Sequence, residues 1–447
     1  MTATEDALTR IAGEAHVECD VRVGDLAVPG VRATLVRPAD AQQVAVVVGW
    51  CYEHDVAIVP VGGRSGLAGG AAVVDTGAEA IALSLERLRT VRCFAPELWR
   101  MEAEAGVTTA TIARLARENG LLFPPDPGAP EQSQLGGTIA TNAGGPHAFK
   151  YGVTGDWVTG LEAVLAPGEL VRVGGATRKD VAGYDLRALL TGSEGTLGIV
   201  TAAWLRLVPA PERRLALVAA YPDAAAGCEA VLRVLASGIV PAALEFFDEG
   251  AISVAGAAFP DERLAGFVVV AEADGSHAEA ARVRDELHEA LSPGAVVLHA
   301  PDSARAIWRW RDGVSLAVAA ARGAKLSEDI AVPLDRLEEA IAETVAIGER
   351  HDLEACSWGH AGDGNVHASF LLEPGDEAQR SRAGEAAHEL FDLALRLGGT
   401  VTGEHGIGVL KAGQLSRQWA PAAVAAHHAI KQALDPKGLF NPGKKVP

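Results

Sequence analysis

Two stretches near the C-terminus contain residue types that could carry out chemistry. The first, GHAGDGNVH (359–367), places His360 and His367 on either side of a Gly-Asp-Gly turn. The second, TGEHGIG (402–408), sets Glu404 among glycines. Two imidazoles and one carboxylate suit a divalent transition metal that keeps a coordination position open for substrate. On this interpretation Glu404 is the third ligand.

A structural interpretation of the same histidines competes with the metal site. An offset of seven residues places two side chains on opposite faces of a straight strand. His360 and His367 can therefore converge only if the Gly-Asp-Gly turn bends the chain between them. Otherwise they are core or turn histidines with local hydrogen bonds. Two histidines alone favour the structural interpretation, so the metal site depends on Glu404 and on further evidence.

A glycine-rich loop, PVGGRSGLAGG (60–70), follows an apolar run typical of a strand. It is neither a GxGxxG turn that opens a helix nor a P-loop with its lysine, so nicotinamide-binding and nucleotide-hydrolysing domains fit poorly. Ser65 and the backbone N–H groups of the loop could still cradle a pyrophosphate. More glycine pairs occur between residues 121 and 200, and they suit a backbone that approaches a ligand closely.

The predicted elements divide at LVPAPERR (207–214). Before it, short strands alternate with helical stretches such as 41–55 and 108–120, which indicates an α/β or α+β domain. After it, the order of strands and helices is typical of a ferredoxin-like sheet with helices on one face. A helical region at about 302–322 and a short strand at 328–333 follow.

Composition limits the class of protein. A chain of 447 residues is long enough for at least two domains, and its net charge of −19 without a basic run argues against nucleic-acid binding. The longest apolar runs fall well short of the roughly 20 residues that span a bilayer, and the N-terminus lacks a signal-peptide pattern. We therefore expect a cytoplasmic protein. The five cysteines are scattered, which argues against a thiolate metal site and an iron–sulfur cluster.

Several motifs in order resemble one family of flavoproteins. The chain is similar to the vanillyl-alcohol-oxidase-type flavoproteins, and within them to the FAD-linked D-2-hydroxyacid dehydrogenase branch of D-lactate dehydrogenases, glycolate oxidase flavin subunits and D-2-hydroxyglutarate dehydrogenases. The motifs are PVGGRSGLAGG, LLFPPDPG, GGTIATNAGGPHAFKYG, GSEGTLGIV, WRWR, EDIAVP, GHAGDGNVH, GEHGIG and DPKGLFNPGK. The resemblance extends from about residue 31 to residue 445.

The resemblance implies an α+β fold of two domains. Residues 1–30 would form an N-terminal extension and residues 31–209 the FAD-binding domain. Residues 210–447 would form a ferredoxin-like and helical domain for substrate and metal, with about 436–447 returning to the flavin.

FAD is the cofactor that the resemblance implies. Because the glycine loop has Arg64 and Ser65 and no histidine, we expect the FAD to be non-covalent. The implied FAD-binding residues are Pro60, Gly62, Gly63, Arg64, Ser65, Gly66, Leu67, Pro125, Asp126, Gly137, Thr138, Thr141, Asn142, Gly144, Gly145, Tyr151, Gly152, Glu194, Gly195, Ile199 and Asn441.

The implied reaction is oxidation of a D-2-hydroxy acid to the 2-oxo acid, with hydride transfer from C2 to flavin N5. The resemblance supports a metal, zinc or else manganese, at His360, His367 and Glu404. His405 is the candidate base for the hydroxyl proton, since a neutral imidazole titrates near working pH. The candidate substrate ligands are Arg311 for the carboxylate, Ser315 and Asn365.

The sequence departs from the branch at two positions. D-2-hydroxyglutarate dehydrogenases have a lysine where this chain has Ser327, and Lys325 lies two residues before it. Selectivity for a second carboxylate is therefore in doubt. Arg64 replaces a residue that is usually small.

Partners and alternatives follow from the same resemblance. Electrons would pass to an external acceptor, which could be an electron-transfer flavoprotein, a cytochrome or a quinone, so the protein could lie peripheral to a membrane. One alternative is a flavin subunit of a larger complex, and another is a metal-dependent hydrolase whose glycine loops are only turns. The oligomeric state is left open, with a homodimer as one option.

Overall fold

A computed structural model describes residues 2–260, 264–301 and 303–446. Within these ranges no helix combines the length and the apolar character needed to cross a bilayer. The strands up to residue 210 are β1 (Val17–Arg22), β2 (Arg32–Val36), β3 (Ala57–Val61), β4 (Ala80–Ser84), β5 (Val91–Ala95), β6 (Arg100–Glu104), β7 (Leu121–Leu122), β8 (Val158–Leu165), β9 (Glu169–Gly174), β10 (Ile199–Arg206) and β11 (Val208–Pro209). The helices are α1 (Ala3–Ala12), α2 (Ala41–Glu53), α3 (Thr109–Glu118), α4 (Leu135–Thr141), α5 (Ala148–Tyr151), α6 (Thr154–Trp157) and α7 (Leu186–Leu190).

The remaining elements follow residue 210. The strands are β12 (Arg213–Tyr221), β13 (Ala243–Phe247), β14 (Phe267–Gly275), β15 (Val297–His299), β16 (Ala324–Ala331), β17 (Ala355–His360) and β18 (Asn365–Leu372). The helices are α8 (Ala224–Ala236), α9 (Glu249–Ala255), α10 (His277–Leu291), α11 (Ala304–Arg322), α12 (Leu337–Arg350), α13 (Glu377–Arg396), α14 (Leu415–Gln418) and α15 (Pro421–Leu434).

The chain forms two compact units, and the division crosses the sequence more than once. The first unit contains residues 1–145, 152–210 and 404–447, and the second contains residues 146–151 and 211–403. The first unit therefore takes a longer C-terminal part than the 436–447 of the sequence analysis. The second unit gains a six-residue segment from within the glycine-rich region.

Capping side chains fix where several helices begin. Thr2 forms a capping box with Glu5 at the start of α1, and Asp40, Thr108 and Asp223 each accept the N–H three residues further on. Such side chains satisfy backbone donors that have no partner inside the helix, which stabilises a helix by about 1 kcal/mol.

The first unit has two main sheets. One has four strands in the order β1-β2-β4-β3, and its β2–β4 and β4–β3 pairs are parallel. The other has five antiparallel strands in the order β5-β6-β10-β8-β9. Leu8 of α1 is fully buried in a core with Val44, Val48 and Ile58, so the N-terminal residues belong to the core of this unit.

The C-terminal segment of the first unit adds to the edge of β3. The N–H of Ile58 donates to the carbonyl of Leu439 at 2.8 Å, and the N–H of Asn441 donates to the carbonyl of Ile58 at 2.8 Å. Phe440 is fully buried between these two bonds. Asn441, the residue after Phe440, also contacts the glycine loop, because its Nδ2 donates to the carbonyl of Gly70 at 3.0 Å.

The second unit is built on one seven-stranded antiparallel sheet in the order β15-β12-β14-β13-β17-β18-β16. Its first four strands in the chain, with α8 and α10, have the order of a ferredoxin-like sheet, as the sequence predicted. The α8 and α10 helices contact β12 and β14, and α12 and α13 extend that helical layer over β17, β18 and β16. Two more helices, α9 and α11, pack on the opposite face around Phe247, Trp310 and Val314.

The buried ammonium of Lys444 holds the C-terminal segment against the glycine loop, and a substitution there tests this contact. Its side chain is 3% exposed, and its ammonium donates to the carbonyls of Gly70 (3.1 Å) and Ala72 (2.6 Å) and to Asn441 Oδ1 (2.7 Å). We expect Lys444→Met to lower the free energy of unfolding by about 2 kcal/mol at pH 7, because three oxygens lose a charged donor. Urea unfolding measures the change, and exposed Lys179→Met is the control.

The same variant has a pH signature. Burial lowers the pKa of Lys444 to about 8. Between about pH 8 and the ordinary lysine pKa near 10.4, the unfolded chain holds more protons than the folded one, so wild-type stability gains relative to Lys444→Met as the pH rises. If the difference in unfolding free energy between the wild type and Lys444→Met stays constant over this pH range, the proposal that Lys444 is buried as an ammonium is contradicted.

Candidate functional site

The β17–β18 hairpin brings His360 and His367 to one face of the sheet. The register pairs His360 with Asn365 and Trp358 with His367. Since 358 and 360 lie on the same face of β17, the turn between the strands cancels the odd offset that would separate the histidines on a straight strand. Their ring centroids lie 5.3 Å apart at 85°.

Neighbouring strands add polar side chains to this face. Glu245 of β13 pairs with His360, and Asp329 of β16 pairs with His367. We call this the polar face, and it consists of Glu245, Glu272, Asp274, Lys325, Ser327, Asp329, His360, Asn365, His367 and Ser369. It is the face that carries α9 and α11.

Glu245 links a histidine to an arginine. Its carboxylate is fully buried, with one oxygen 2.5 Å from His360 Nδ1 and the other accepting from Arg311 Nε at 2.7 Å. Burial would raise the pKa of Glu245, but the charges of His360 and Arg311 outweigh it and hold that pKa below its usual value. Because Nδ1 faces the carboxylate, a metal at His360 would bind Nε2, an arrangement common around metal-ligating histidines.

Asp329 holds the segment that leads to Glu404. Its carboxylate accepts from the Thr402 hydroxyl at 3.1 Å and from the Gly403 N–H at 2.7 Å. Glu404 follows directly in the chain, and single ligand atoms of His360, His367 and Glu404 lie within 4.8 Å of one another. Two imidazoles and a carboxylate in a mostly buried place fit a divalent transition metal.

Asn365 lies beside this group. Its Nδ2 donates to the Ile330 carbonyl at 2.9 Å, whereas Oδ1 is buried without a hydrogen-bond partner in the part of the chain that the structure describes. A Cβ on Gly403 would lie 2.2 Å from Asn365 Nδ2, so this close approach requires glycine. An orphaned buried oxygen next to a candidate metal group is a feature that a ligand could explain.

The predicted substrate residues on α11 face the same side. Arg311 contacts Glu245, as described above, and Ser315, one helical turn later, accepts a hydrogen bond from Lys325 Nζ at 2.8 Å. Arg311 is thus held within the polar face and does not lie on an exposed helix surface.

A second pair of buried carboxylates lies on β14. Glu272 contacts His147 Nε2 at 3.0 Å and also the Trp308 indole, and Asp274 accepts from Tyr151 Oη at 2.6 Å. These contacts hold the 146–151 segment in the second unit. Tyr151, which the resemblance assigned to the flavin, has its hydroxyl on Asp274.

The glycine loop of the first unit presents backbone donors. The carbonyls of Gly63 and Gly66 accept from Gln132 and from the Leu26 N–H, but within the described residues no N–H from 63 to 68 has a hydrogen-bond partner. Arg64 adopts a left-handed backbone with φ of 58°. Successive N–H groups without partners in a turn conformation can bind a phosphate.

An orphaned side-chain oxygen lies next to this loop. A Cβ on Gly62 would be 3.7 Å from Gln134 Oε1, an oxygen that is buried and has no partner among the residues described. The same Cβ would be 3.7 Å from Gly137 Cα, so two backbones approach closely here. The loop, the orphaned oxygen and the small residues fit a dinucleotide such as FAD.

The structure gives other predicted FAD residues internal contacts. The hydroxyls of Thr138 and Thr141 donate to backbone carbonyls of α4, and Asn142 ends that helix in a left-handed conformation. Gly145 packs on Asp126, and Gly195 packs on Pro60. Gly144, Gly152, Pro125 and Ile199 lie in the same unit.

Glu194 holds the loop that contains His405. Its two carboxylate oxygens accept from the N–H groups of Ile407 (2.8 Å) and Gly408 (2.7 Å), and its carbonyl accepts from Asn441 Nδ2 at 2.7 Å. Glu194 therefore connects two segments that sequence analysis treated separately. His405 is partly exposed, three residues before Gly408.

Glu245, Glu272 and Asp274 are absent from the residues predicted from sequence, although the sequence contains a signal for them. Each is a carboxylate within an otherwise apolar strand, Glu245 in PAALEFFD and the other two in VVVAEADG. Buried carboxylates are rare unless they are paired. Glu272 and Asp274 also lie two residues apart, the spacing of one strand face.

Comparison with known proteins identifies the family. Residues 210–445 match the model of the C-terminal domain of FAD linked oxidases, and residues 33–174 match an FAD binding domain. The chain belongs to the FAD-linked oxidase family. It is therefore an FAD-linked oxidoreductase, as the resemblance predicted, and the match does not favour the hydrolase alternative.

Relatives cover most of the chain. It is 35% identical over 418 residues to glycolate oxidase subunit GlcD of Bacillus subtilis, covering 92% of this chain and 88% of that protein. It is 32% identical to a D-lactate dehydrogenase of Anaerostipes hadrus, with coverage of 92% and 88%. It is 34% identical to a D-2-hydroxyglutarate dehydrogenase of Xanthomonas citri, with coverage of 91% and 88%.

Solved structures share the fold. p-Cresol methylhydroxylase matches with a TM-score of 0.80 at 17% identity, over 99% of this chain and 96% of that one. Alkyldihydroxyacetonephosphate synthase matches with a TM-score of 0.79 at 17% identity, over 99% and 84%. The predicted vanillyl-alcohol-oxidase-type fold is confirmed.

Removing Glu245 tests the polar face. We expect Glu245→Ala to lower the free energy of unfolding by about 3–5 kcal/mol, because Arg311 would keep a buried charge without its carboxylate. Urea unfolding measures this loss. Glu118→Ala is the control, since its pair with Arg114 is about half exposed and is worth about 0.5 kcal/mol or less. Equal effects of the two variants would show that the Glu245 pair is not buried.

Proposed function

We propose that this protein oxidises a D-2-hydroxy acid to the 2-oxo acid with FAD as the electron acceptor and with the assistance of a divalent metal. The group of His360, His367 and Glu404 carries the proposal, with Arg311 held nearby by Glu245. Relatives with 32–35% identity are named for glycolate, D-lactate and D-2-hydroxyglutarate.

Residues of the glycine loop and its neighbours would hold FAD. The N–H groups of the loop would bind the pyrophosphate. Gln134 Oε1 would accept a hydrogen bond from the bound cofactor. FAD, when bound, supplies the acceptor for the hydrogen and electron pair that leave C2. The histidine-free loop fits the expectation of non-covalent binding.

Imidazole nitrogens of His360 and His367 and the carboxylate of Glu404 would hold the metal, zinc or else manganese. A divalent metal there supplies a Lewis acid that makes a nearby hydroxyl proton easier to remove. Glu245 orients the His360 ring, and Asp329 fixes the chain just before Glu404.

Side chains of the polar face and of the 402–408 loop would bind the substrate and remove its hydroxyl proton. A guanidinium has five donors, so Arg311 can keep Nε on Glu245 and bind the substrate carboxylate with other N–H groups. Asn365 Oδ1 can accept a hydrogen bond from the substrate. His405 takes the hydroxyl proton.

Electrons leave FAD for an external acceptor, which could be an electron-transfer flavoprotein, a cytochrome or a quinone. The name of the Bacillus relative describes a subunit, which keeps open the proposal that this chain also works in a larger complex. Oxygen uptake compared with dye reduction would distinguish an oxidase from a dehydrogenase.

Anaerobic flavin reduction tests the reaction. We expect the purified protein to show the yellow absorbance of FAD, and one D-2-hydroxy acid from a panel of D- and L-acids to bleach it. Bleaching should stop after chelation and return with Zn²⁺ or Mn²⁺. A colourless protein, or bleaching that is unaffected by complete metal removal, would contradict the proposal.

Metal content tests the ligands independently of turnover. We expect about one equivalent of metal in the wild type, and we expect His360→Ala and His367→Ala each to lose most of it, because a site with three protein ligands cannot spare one. Elemental analysis of the desalted protein measures the number of metal ions per protein molecule. Exposed His428→Ala is the control, and retention of metal by both ligand variants would place the metal elsewhere.

A further inference from the structure

The backbone of Glu194 is held in a left-handed conformation, with φ of 53°, which is uncommon outside glycine. Its N–H donates to the carbonyl of Ala140 in the last turn of α4 at 2.7 Å, and its carbonyl accepts from Asn441 Nδ2 at 2.7 Å. The residue is also buried. Such a conformation persists only where the surrounding contacts compensate for its strain, and residues that adopt it are concentrated at functional sites.

The carboxylate of Glu194 lies against the 402–408 loop. Its two oxygens accept from the N–H groups of Ile407 at 2.8 Å and Gly408 at 2.7 Å. A Cβ on Gly406 would lie 3.0 Å from Oε1 of the same carboxylate, so the loop passes it at close range. Both oxygens of Glu194 are therefore engaged with the loop.

The glycine loop holds the next two residues of the same segment. The N–H groups of Val409 and Leu410 donate to the carbonyl of Ala68 at 3.0 Å and 3.3 Å. Four successive N–H groups, from 407 to 410, are therefore bound by either Glu194 or the glycine loop. The chain is thus fixed directly after the candidate metal ligand and the candidate base.

We infer that Glu194 is a positioning residue for Glu404 and His405 and is not a ligand of FAD, an inference that rests on the proposed function for the roles of those two residues. Glu404 lies three residues before Ile407, so a displacement of the N–H groups at 407 and 408 would move its carboxylate away from the metal. Residues that orient a metal ligand from behind typically contribute about 10- to 100-fold to metal affinity. The resemblance to flavoproteins assigned Glu194 to FAD, but its carboxylate binds the loop.

Glu194→Gln tests this role in the holoenzyme. A carboxamide has one oxygen and one NH2 group, so one of the two loop N–H groups would lose its acceptor and face a donor. We expect the Kd for Zn²⁺ to rise by about 10- to 100-fold, and the Kd for FAD to change by less than about threefold. Equilibrium dialysis of the chelated holoenzyme against Zn²⁺ buffers, followed by elemental analysis, measures the first. The fluorescence of FAD released on serial dilution measures the second.

Two control variants separate positioning from the general loss of a buried charge. Glu162 has the same exposure as Glu194, 5%, and pairs with Arg92 and Arg172 in the same unit. Glu162→Gln should therefore leave the Kd for Zn²⁺ within about threefold. Lys445→Met removes an ammonium 3.4 Å from the Glu194 carboxylate but keeps both N–H bonds, so it should weaken Zn²⁺ binding less than Glu194→Gln does.

The relative changes in the two affinities decide between positioning and cofactor binding. If Glu194→Gln weakens FAD binding and leaves Zn²⁺ binding unchanged, Glu194 is a ligand of FAD and the inference is overturned. Equal losses of both affinities, unchanged values of both, or an equal effect of Glu162→Gln on Zn²⁺ binding would also overturn it.

Hydrogen exchange distinguishes a failure of this inference from a failure of the proposed function. In the metal-free, FAD-loaded protein, Glu194→Gln should accelerate amide exchange in peptides that cover 404–408 by about 10-fold, as expected for the loss of one hydrogen bond. Mass spectrometry measures the exchange. If the wild type binds no Zn²⁺, the proposed function is contradicted, and the exchange rate alone decides whether Glu194 holds the loop. If the wild type binds Zn²⁺ but exchange is unchanged in the variant, the inference is overturned and the proposed function stands.

Discussion

The carboxylate of Glu245 lies between His360 and Arg311, and the arrangement of the polar face depends on it. A fully buried anion is tolerated only when its partners compensate for the loss of water. The two contacts fix the ring of His360 from one side and the guanidinium of Arg311 from the other. One side chain from an apolar strand thereby sets the relative positions of a candidate metal ligand and a candidate substrate ligand.

Strand register extends this constraint across the sheet. A shift of one residue between β17 and β18 would move His367 to the opposite face, because side chains alternate along a strand. The polar face therefore needs the hairpin turn, the pairing of β13 with β17 and the pairing of β16 with β18 at once. Asp329 connects the same register to the segment that ends at Gly403. The positions of the two histidines therefore depend on strand pairings that extend across the second unit.

Much of the fold was predictable from local pattern, and the contacts between distant segments were not. The strand–helix order after residue 210 predicted the ferredoxin-like sheet, and the motifs predicted the family. The offset of His360 and His367 could not decide their faces, because that depends on the turn register. Nothing local indicated that residues 146–151 join the second unit, since their partners Glu272 and Asp274 lie more than a hundred residues away. The polar-face position of Lys325 likewise needs the β16–β18 pairing.

X-ray absorption spectroscopy at the metal edge tests the central claim most directly, which is that the hairpin histidines and Glu404 hold a divalent metal. The account predicts a first coordination sphere with two imidazole nitrogens and oxygen ligands, and the loss of one imidazole in His367→Ala. It also predicts that sulfur is absent from that sphere, since within the described residues the candidate ligand group contains no cysteine. A sphere with sulfur ligands, or one that His367→Ala leaves unchanged, would contradict it.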